Sequence, residues 1–270
     1  MNTKTGVAQW ADKSANIQTG CRNGCLYCYA QAMAQRFKRI AGRETWLYPS
    51  LNKPGKFPRD SRVMFPTTHD ITLDNIHRIV DATGAMLDRG NTILFVTKAG
   101  PTPIDLLLYY LDQFPHSRKS IEFRFSITTL NYKTQRFWEP DAPHIIDRIE
   151  AMKDANCAGF RVSVSCEPML FKDEAEILPH FQAMILAGAS EVWYGYLKNA
   201  RARIAQNIQD QWHKDLALDR LLCVITPANV GRLLRHLPLD PRVMLKDSVI
   251  TAINKTTKRN QYSAKGGPRK

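Results

Sequence analysis

Apolar, β-branched runs alternate with amphipathic stretches along most of the chain. The runs predict strands at Ser14–Gln18, Arg62–Thr67, Thr92–Lys98, Ile121–Thr128, Phe160–Glu167, Glu191–Leu197, Leu221–Thr226 and Arg242–Lys246. Between them lie helical patterns such as Asp141–Asn156. There Ile145, Ile146, Ile149 and Met152 form an apolar stripe, Asp141 offers a cap, Pro143 suits the first turn and Gly159 follows the end. Strand and helix alternation over this length predicts an α/β fold with a parallel sheet, most simply a full or partial (β/α) barrel. No repeat or linker divides it, so the expected layout is one barrel domain over residues 1–250 and a basic, flexible tail over 251–270. Arg43–Asp60, with Pro49, Pro54 and Pro58, reads as a long irregular loop.

Two strands have informative faces. Ile121, Phe123, Phe125 and Ile127 share one side, and Glu122, Arg124, Ser126 and Thr128 share the other. Phe160, Val162 and Val164 likewise oppose Arg161, Ser163, Ser165 and Glu167. The outer face of a barrel packs on helices, so the polar sets point inward, where a barrel filled only for packing carries branched apolar layers. This predicts a ligand cavity.

With 270 residues, 44% of them apolar and 23% charged, the chain is too apolar for a disordered protein and long enough to bury a substantial core. No stretch approaches the roughly 18 uninterrupted apolar residues of a membrane helix, and Met1–Lys13 lacks the apolar centre of a secretory signal. The expected location is the cytoplasm, where thiols stay reduced. The formal charge is +13. From Gln31 to Arg62 eight basic residues (Arg36, Lys38, Arg39, Arg43, Lys53, Lys56, Arg59, Arg62) face two acids, a net +6; Thr251–Lys270 carries six basic residues and no acid. Such segments read either as a solvated surface and tail or as a track for nucleic-acid phosphates. Arg36, Lys38, Arg39 and Arg43 are the candidate phosphate contacts.

Cys21-Arg22-Asn23-Gly24-Cys25-Leu26-Tyr27-Cys28 is the most specific signal. Three thiolates spaced C-x3-C-x2-C suit three corners of a cuboidal iron–sulfur cluster, which normally takes four Cys ligands. The next cysteine is Cys157, so one iron is left open. Zinc asks for a fourth Cys or His at short spacing, and the first histidine is His69.

This loop resembles the signature of the radical S-adenosylmethionine (SAM) superfamily, with Tyr27 at the aromatic position. NIQTGCRNGCLYCYA, VTK at Val96–Lys98, SITTLN at Ser126–Asn131, EPDAP at Glu139–Pro143 and SVSCEPML at Ser163–Leu170 resemble the spore photoproduct lyase-like branch and its phage-encoded relatives. The matches span about 15 to 170; beyond Leu170 the likeness is one of strand rhythm, including MLKDS at Met244–Ser248. The resemblance implies a [4Fe-4S] cluster on Cys21, Cys25 and Cys28, SAM chelated to the open iron, and reductive cleavage to a 5′-deoxyadenosyl radical that abstracts hydrogen.

It also implies roles for other residues. Thr67-Thr68-His69-Asp70 replaces the usual Gly-Gly-Glu that meets the SAM amino group, placing Thr68 and His69 there. Ser126 and Thr128 match the positions that hold the methionine carboxylate or the ribose. Glu167 is an acceptor for ribose or amino group, or a rim ion pair, and Lys98 offsets the carboxylate or pairs with an acid. Cys166 is the candidate hydrogen donor of this branch, although alternation groups it with Phe160, Val162 and Val164. Tyr194 and Tyr196 are candidate radical relays, set against a reading of both as aromatic core. Cys157 and Cys223 read as structural.

The function implied is a radical SAM enzyme, of isomerase or lyase type, acting on a base in DNA, with a modified thymidine as the expected target. It would be a monomer in the cytoplasm, in a host's if phage-encoded, served by a flavodoxin- or ferredoxin-type reductant. The alternatives are a radical enzyme for a peptide or small metabolite, and a zinc-stapled nucleic-acid binder without catalysis.

Overall fold

The computed structural model describes residues 6–53, 55–222, 233 and 235–264, with 256–264 as backbone. Its strands are β1 (Lys13–Ser14), β2 (Gln18–Thr19), β3 (Ser50–Leu51), β4 (Arg62–Phe65), β5 (Thr92–Thr97), β6 (Ile121–Ser126), β7 (Arg161–Cys166), β8 (Val192–Tyr194) and β9 (Val243–Leu245). The helices are α1 (Tyr29–Arg36), α2 (Arg43–Leu47), α3 (Ile76–Leu87), α4 (Pro101–Leu111), α5 (Ser117–Ser120), α6 (Tyr132–Trp138), α7 (Ile145–Cys157), α8 (Ile177–Leu186), α9 (Ala200–Asn207), α10 (Gln211–Leu222) and α11 (Asp247–Ala264). Seven strands form one sheet in the order β1-β4-β5-β6-β7-β8-β9 with every neighbouring pair parallel. Strands β2 and β3 form a separate antiparallel pair. The sheet order ends in two edges, the arrangement of a partial barrel rather than a closed one.

Face alternation sorts the side chains as predicted. Phe65, Phe95 and Phe123 stand on one register rung and join Phe125, Val162 and Val164 in the main core with Ile104, Leu107, Ile145 and Met152 of the covering helices. Each such burial stabilises by roughly 1.5–3 kcal/mol. The inward face instead carries buried Glu122, Arg124, Ser163 and Ser165. Arg124 donates to Ser163 Oγ at 2.9 Å and pairs with Glu122 at 3.0 Å and with Glu191. Its guanidinium packs against both Trp10 and Trp193, 4.7 and 5.2 Å from the ring centroids, and the two rings meet edge to face at 5.9 Å. The polar lumen of β6 and β7 is thus half ligand cavity and half charged plug.

Several expectations need correction. Ser14–Gln18 divides between β1 and β2, Arg43–Asp60 contains α2 and β3, and Leu221–Leu222 is the end of α10; residues 223–226, Cys223 included, lie outside the described residues. Helix α11 runs through the boundary expected at residue 250, so 251–264 is helical; 265–270 lies outside the described residues. Helix α7 is capped by His144, whose Nδ1 accepts from Ile146 N at 3.1 Å, rather than by Asp141. Its buried stripe is Ile145, Arg148, Ala151, Met152 and Ala155, while Ile146 is 65% exposed. The buried partner of Arg148, described below, sets that rotation. Among the described residues no helix is long and apolar enough to cross a membrane.

Candidate functional site

The cysteine loop follows β2 and ends at α1, and its carbonyl groups are held from several elements. Arg43 Nη2 donates to Gly24 O at 2.7 Å, Asp141 N to Asn23 O at 3.3 Å, and Asn207 Nδ2 to Leu26 O at 3.0 Å and Cys28 O at 2.9 Å. Leu26 N donates to Trp138 O at 2.9 Å. Cys28 is the N-cap of α1, its Sγ accepting from Gln31 N at 3.4 Å. Gly24 sits at φ +60, where a Cβ would stand 2.5 Å from Asp141 Oδ2 and 2.9 Å from Arg43 Nη2. Gly24→Ala is therefore expected to cost about 1–3 kcal/mol, read as a lower melting temperature of the purified chain. An unchanged Tm would show that the loop has another accessible conformation.

All three thiols are free and line one cavity of about 370 Å³, within the size range of small-molecule sites. The cavity opens at the C-terminal ends of the parallel strands. It is also lined by Tyr27, Thr68, His69, Lys98, Ser126 and Glu167, so six of the seven residues expected to bind cofactor converge there. Burial raises the thiols of Cys21 and Cys28 and pushes Cys25 up to about 12. Burial would lower the Lys98 ammonium, but Cys25 and Glu139 outweigh it and raise it. Burial raises the Glu167 carboxyl against the pull of Lys246, whose Nζ is 3.7 Å away.

His69 is largely committed to structure. Its Nε2 accepts from Ile17 N at 3.2 Å and its Nδ1 faces Asp70 O at 3.1 Å, which fixes the neutral tautomer with the proton on Nδ1; burial lowers its pKa. Asp70, given no role from sequence, ties the loop to two strand ends. It accepts from Asn23 Nδ2 at 2.6 Å, Ile71 N at 2.8 Å, Lys98 N at 3.1 Å and Thr97 Oγ1.

The larger omission is Glu139. It is fully buried, pairs with equally buried Arg148 at 2.6 Å, and accepts from Tyr27 OH and from Thr128 Oγ1 at 3.2 Å. Burial would raise its carboxyl, but Arg148 and Lys98 outweigh that and lower it. Arg148 Nη1 donates to Ser126 O at 3.0 Å, so the pair holds the end of β6 against the cysteine loop. A charged residue on the buried stripe of α7 was the available signal.

Four expected roles do not hold in the geometry. Thr128 is buried and its hydroxyl serves Glu139, so it positions rather than lines the cavity. Cys166 and Tyr194 are fully buried on the helix-facing side; Cys166 Sγ donates to Thr128 O at 3.6 Å and Tyr194 OH is 3.3 Å from His180 Nδ1. Strand alternation turns both away from the cavity, which leaves neither as a group that touches reactants. Arg43 is spent on Gly24 O, whereas Arg36, Lys38 and Arg39 are exposed. Among the described residues no three His, Cys, Asp or Glu side chains gather as a single metal ion requires. A cuboidal cluster would bind each thiolate through a separate iron, so a site for one would not be a single-ion site.

No family model matches the sequence, and no curated protein matches it. Solved structures do match. A tyrosine-to-phenylalanine variant of spore photoproduct lyase superposes with a TM-score of 0.50 at 18% identity, over 86% of this chain and 75% of that one. A further variant, with dinucleoside spore photoproduct, gives the same figures. Streptococcus suis SuiB bound to precursor peptide SuiA superposes with a TM-score of 0.53 at 11% identity, over 90% of this chain and 51% of that one, so the chain spans about half of SuiB. By its parallel sheet and these superpositions, the chain has the fold of the radical SAM enzymes, the superfamily that its CRNGCLYC loop resembles.

Proposed function

We propose that the chain is a radical SAM enzyme acting on a base in DNA, with a modified thymidine as its target. The observation that carries the radical SAM reading is that three free thiols from one eight-residue loop face the same cavity as Ser126, Lys98 and Glu167. The donor set fits the group: soft thiolates for a [4Fe-4S] cluster, and cationic, hydroxyl and carboxylate groups for an amino acid and a ribose. SuiB has also been solved bound to S-adenosylmethionine, superposing with a TM-score of 0.50 at 13% identity over 90% of this chain and 48% of that one. When bound, the two cofactors supply reductive bond cleavage and hydrogen abstraction from an unactivated C–H bond, with an electron from an external reductant.

The chain's own residues do the rest. Cys21, Cys25 and Cys28 hold the cluster, while Tyr27, Thr68, His69, Lys98, Ser126 and Glu167 surround SAM. Lys98 Nζ, 5.8 Å from the Tyr27 ring centroid, brings positive charge toward a carboxylate. Thr128, Glu139 and Arg148 position Ser126. The Trp10–Arg124–Trp193 plug closes the lumen beneath and keeps water from a reactive radical.

One neighbour is a spore photoproduct lyase, solved with a dinucleoside spore photoproduct, and the other is solved bound to a precursor peptide, so the fold does not choose between substrates. The surface after α1 supports nucleic acid. Phe37 is 54% exposed, with the guanidinium groups of Arg36 and Arg39 5.7 and 5.6 Å from its ring centroid, and Lys38 lies between them in sequence. An exposed aromatic flanked by cations suits a stacked base and its phosphates. With Arg43 withdrawn, about three phosphates would be neutralised, giving a slope of log affinity on log salt near −2 to −3. The double variant Lys38→Gln with Arg39→Gln should flatten that slope to about −1 and leave cluster iron unchanged. Salt-independent binding, or turnover of a peptide but of no oligonucleotide, would reject the nucleic-acid reading.

A further inference from the structure

Helix α1 buries its small side chains and exposes its large ones. Ala30, Ala32 and Ala34 lie on the inner face with Gln31, while Tyr29, Met33 and Phe37 are 36, 49 and 54% exposed. A helix that only had to pack would turn its large apolar residues inward. The three exposed residues stand four positions apart, so they follow one another along a single ridge. Phe37 N donates to Met33 O at 3.0 Å, which carries the helical register through the last of them.

The ridge runs from the cavity to the cations. Tyr29 lines the cavity, and its hydroxyl donates to Thr67 O, which holds the ring at the opening. Arg203 of α9 lines the cavity beside it, its guanidinium 5.9 Å from the Tyr29 ring centroid and free of hydrogen bonds and ion pairs among the described residues. At the other end Arg36 and Arg39 flank Phe37. Tyr29 and Phe37 are about 12 Å apart at 1.5 Å per residue. No acidic residue occurs between Tyr29 and Arg43.

Exposed apolar surface with positive charge at both ends and no acid along it selects the partner. A duplex presents phosphates but keeps its base faces stacked inside, whereas a single strand presents both phosphates and base faces. The ridge length corresponds to roughly two to four nucleotides of such a strand. We propose that Met33 and Phe37, with Tyr29 at the cavity end, form a ridge that binds single-stranded nucleic acid flanking the target base. Phe37 stacks on a base, Met33 gives apolar contact, and Arg36 and Arg39 take the phosphates. This rests on the reading of the substrate as a base in nucleic acid, and adds that the strand is unpaired along α1.

The test is equilibrium binding by fluorescence anisotropy to the full chain with reconstituted cluster and SAM, at fixed salt. The probes are labelled (dT)20, its duplex with (dA)20 and an abasic strand of the same length; the proteins are native, Phe37→Leu, Phe37→Trp and Met33→Glu. The expected result is (dT)20 bound at least tenfold more tightly than the duplex, and a loss of about tenfold for (dT)20 in Phe37→Leu with the abasic strand unmoved. Phe37→Trp should keep the native affinity, and Met33→Glu, which sets a negative charge in the middle of the ridge, should also weaken (dT)20. Both positions are exposed, and cluster iron should be equal in all four proteins. Duplex bound as tightly as single strand, or native affinity in Phe37→Leu, would overturn the ridge while leaving the nucleic-acid reading in place. Binding of polyglutamate that Phe37→Leu abolishes while (dT)20 binding persists would assign the ridge to an acidic protein and overturn it as well. Affinity for none of the three nucleic-acid probes would reject the nucleic-acid reading and this inference with it.

Discussion

Replacing Cys21 and Cys25 by Ala and Cys28 by Ser is expected to remove all cluster iron and abolish SAM cleavage while leaving the fold intact. The three thiols share one loop and one cavity, and no other described cysteine lies on that wall: Cys157 is exposed at the end of α7 and Cys166 faces the core. The loop does not need the thiols to keep its shape. Its carbonyls are held by Arg43, Asn207 and Asp141 N, and Ser at position 28 preserves a cap for α1. The stability cost should stay near 1 kcal/mol, the size of a cap change. Iron and sulfide analysis after anaerobic reconstitution should fall from about four of each per chain to near zero, with loss of the charge-transfer band near ~400 nm. Full iron content in the triple variant would place the cluster elsewhere.

Breaking the Glu139–Arg148 pair is the change expected to damage the fold most. Both side chains are fully buried, so Arg148→Met strands a carboxylate in the interior, at a cost of about 3–5 kcal/mol. The damage should reach the site because Arg148 holds Ser126 O and Glu139 holds Tyr27 and Thr128. Denaturant titration should show the loss. The double variant Glu139→Gln with Arg148→Met should recover part of it, since no buried charge is then left alone. The pair also has a pH signature. The Glu139 carboxyl is held below the usual glutamate range in the folded chain, so its stabilisation is present above the unfolded value and is lost as pH falls through the lowered folded one. Stability of the native protein should drop in that acid window, and the double variant should lack this part of the drop. A single variant as stable as the native chain would mean that the two charges are not what joins β6 to the cysteine loop.

What the sequence made legible was local. The alternation of β6 and β7 separates the helix-packed face from the lumen, and the C-x3-C-x2-C spacing alone marks the thiol loop. What stayed hidden depends on partners far away in the chain. Tyr27 and Glu139 are 112 positions apart, and Asp247 N and Gln9 238 positions apart, separations that no periodicity encodes. Arg43 stands close to Arg36, Lys38 and Arg39 in sequence. The fold turned it onto Gly24 O and left the others exposed about 12 Å along α1 from the loop, at 1.5 Å per residue. Thr128 had the correct face, but β6 ends at Ser126, and beyond it the hydroxyl found Glu139 instead of the cavity. Apolar periodicity does not reveal the inner face of α7, because Arg148 belongs to it and a buried countercharge holds it there.

The most direct measurement is single-turnover analysis of the anaerobically reconstituted native chain, reduced in the presence of SAM, with liquid chromatography of the nucleoside products. The account predicts 5′-deoxyadenosine and methionine in equal amounts, both absent from the triple cysteine variant and both stimulated by a thymine-containing oligonucleotide. Intact SAM in the reduced protein with its full complement of iron would contradict it.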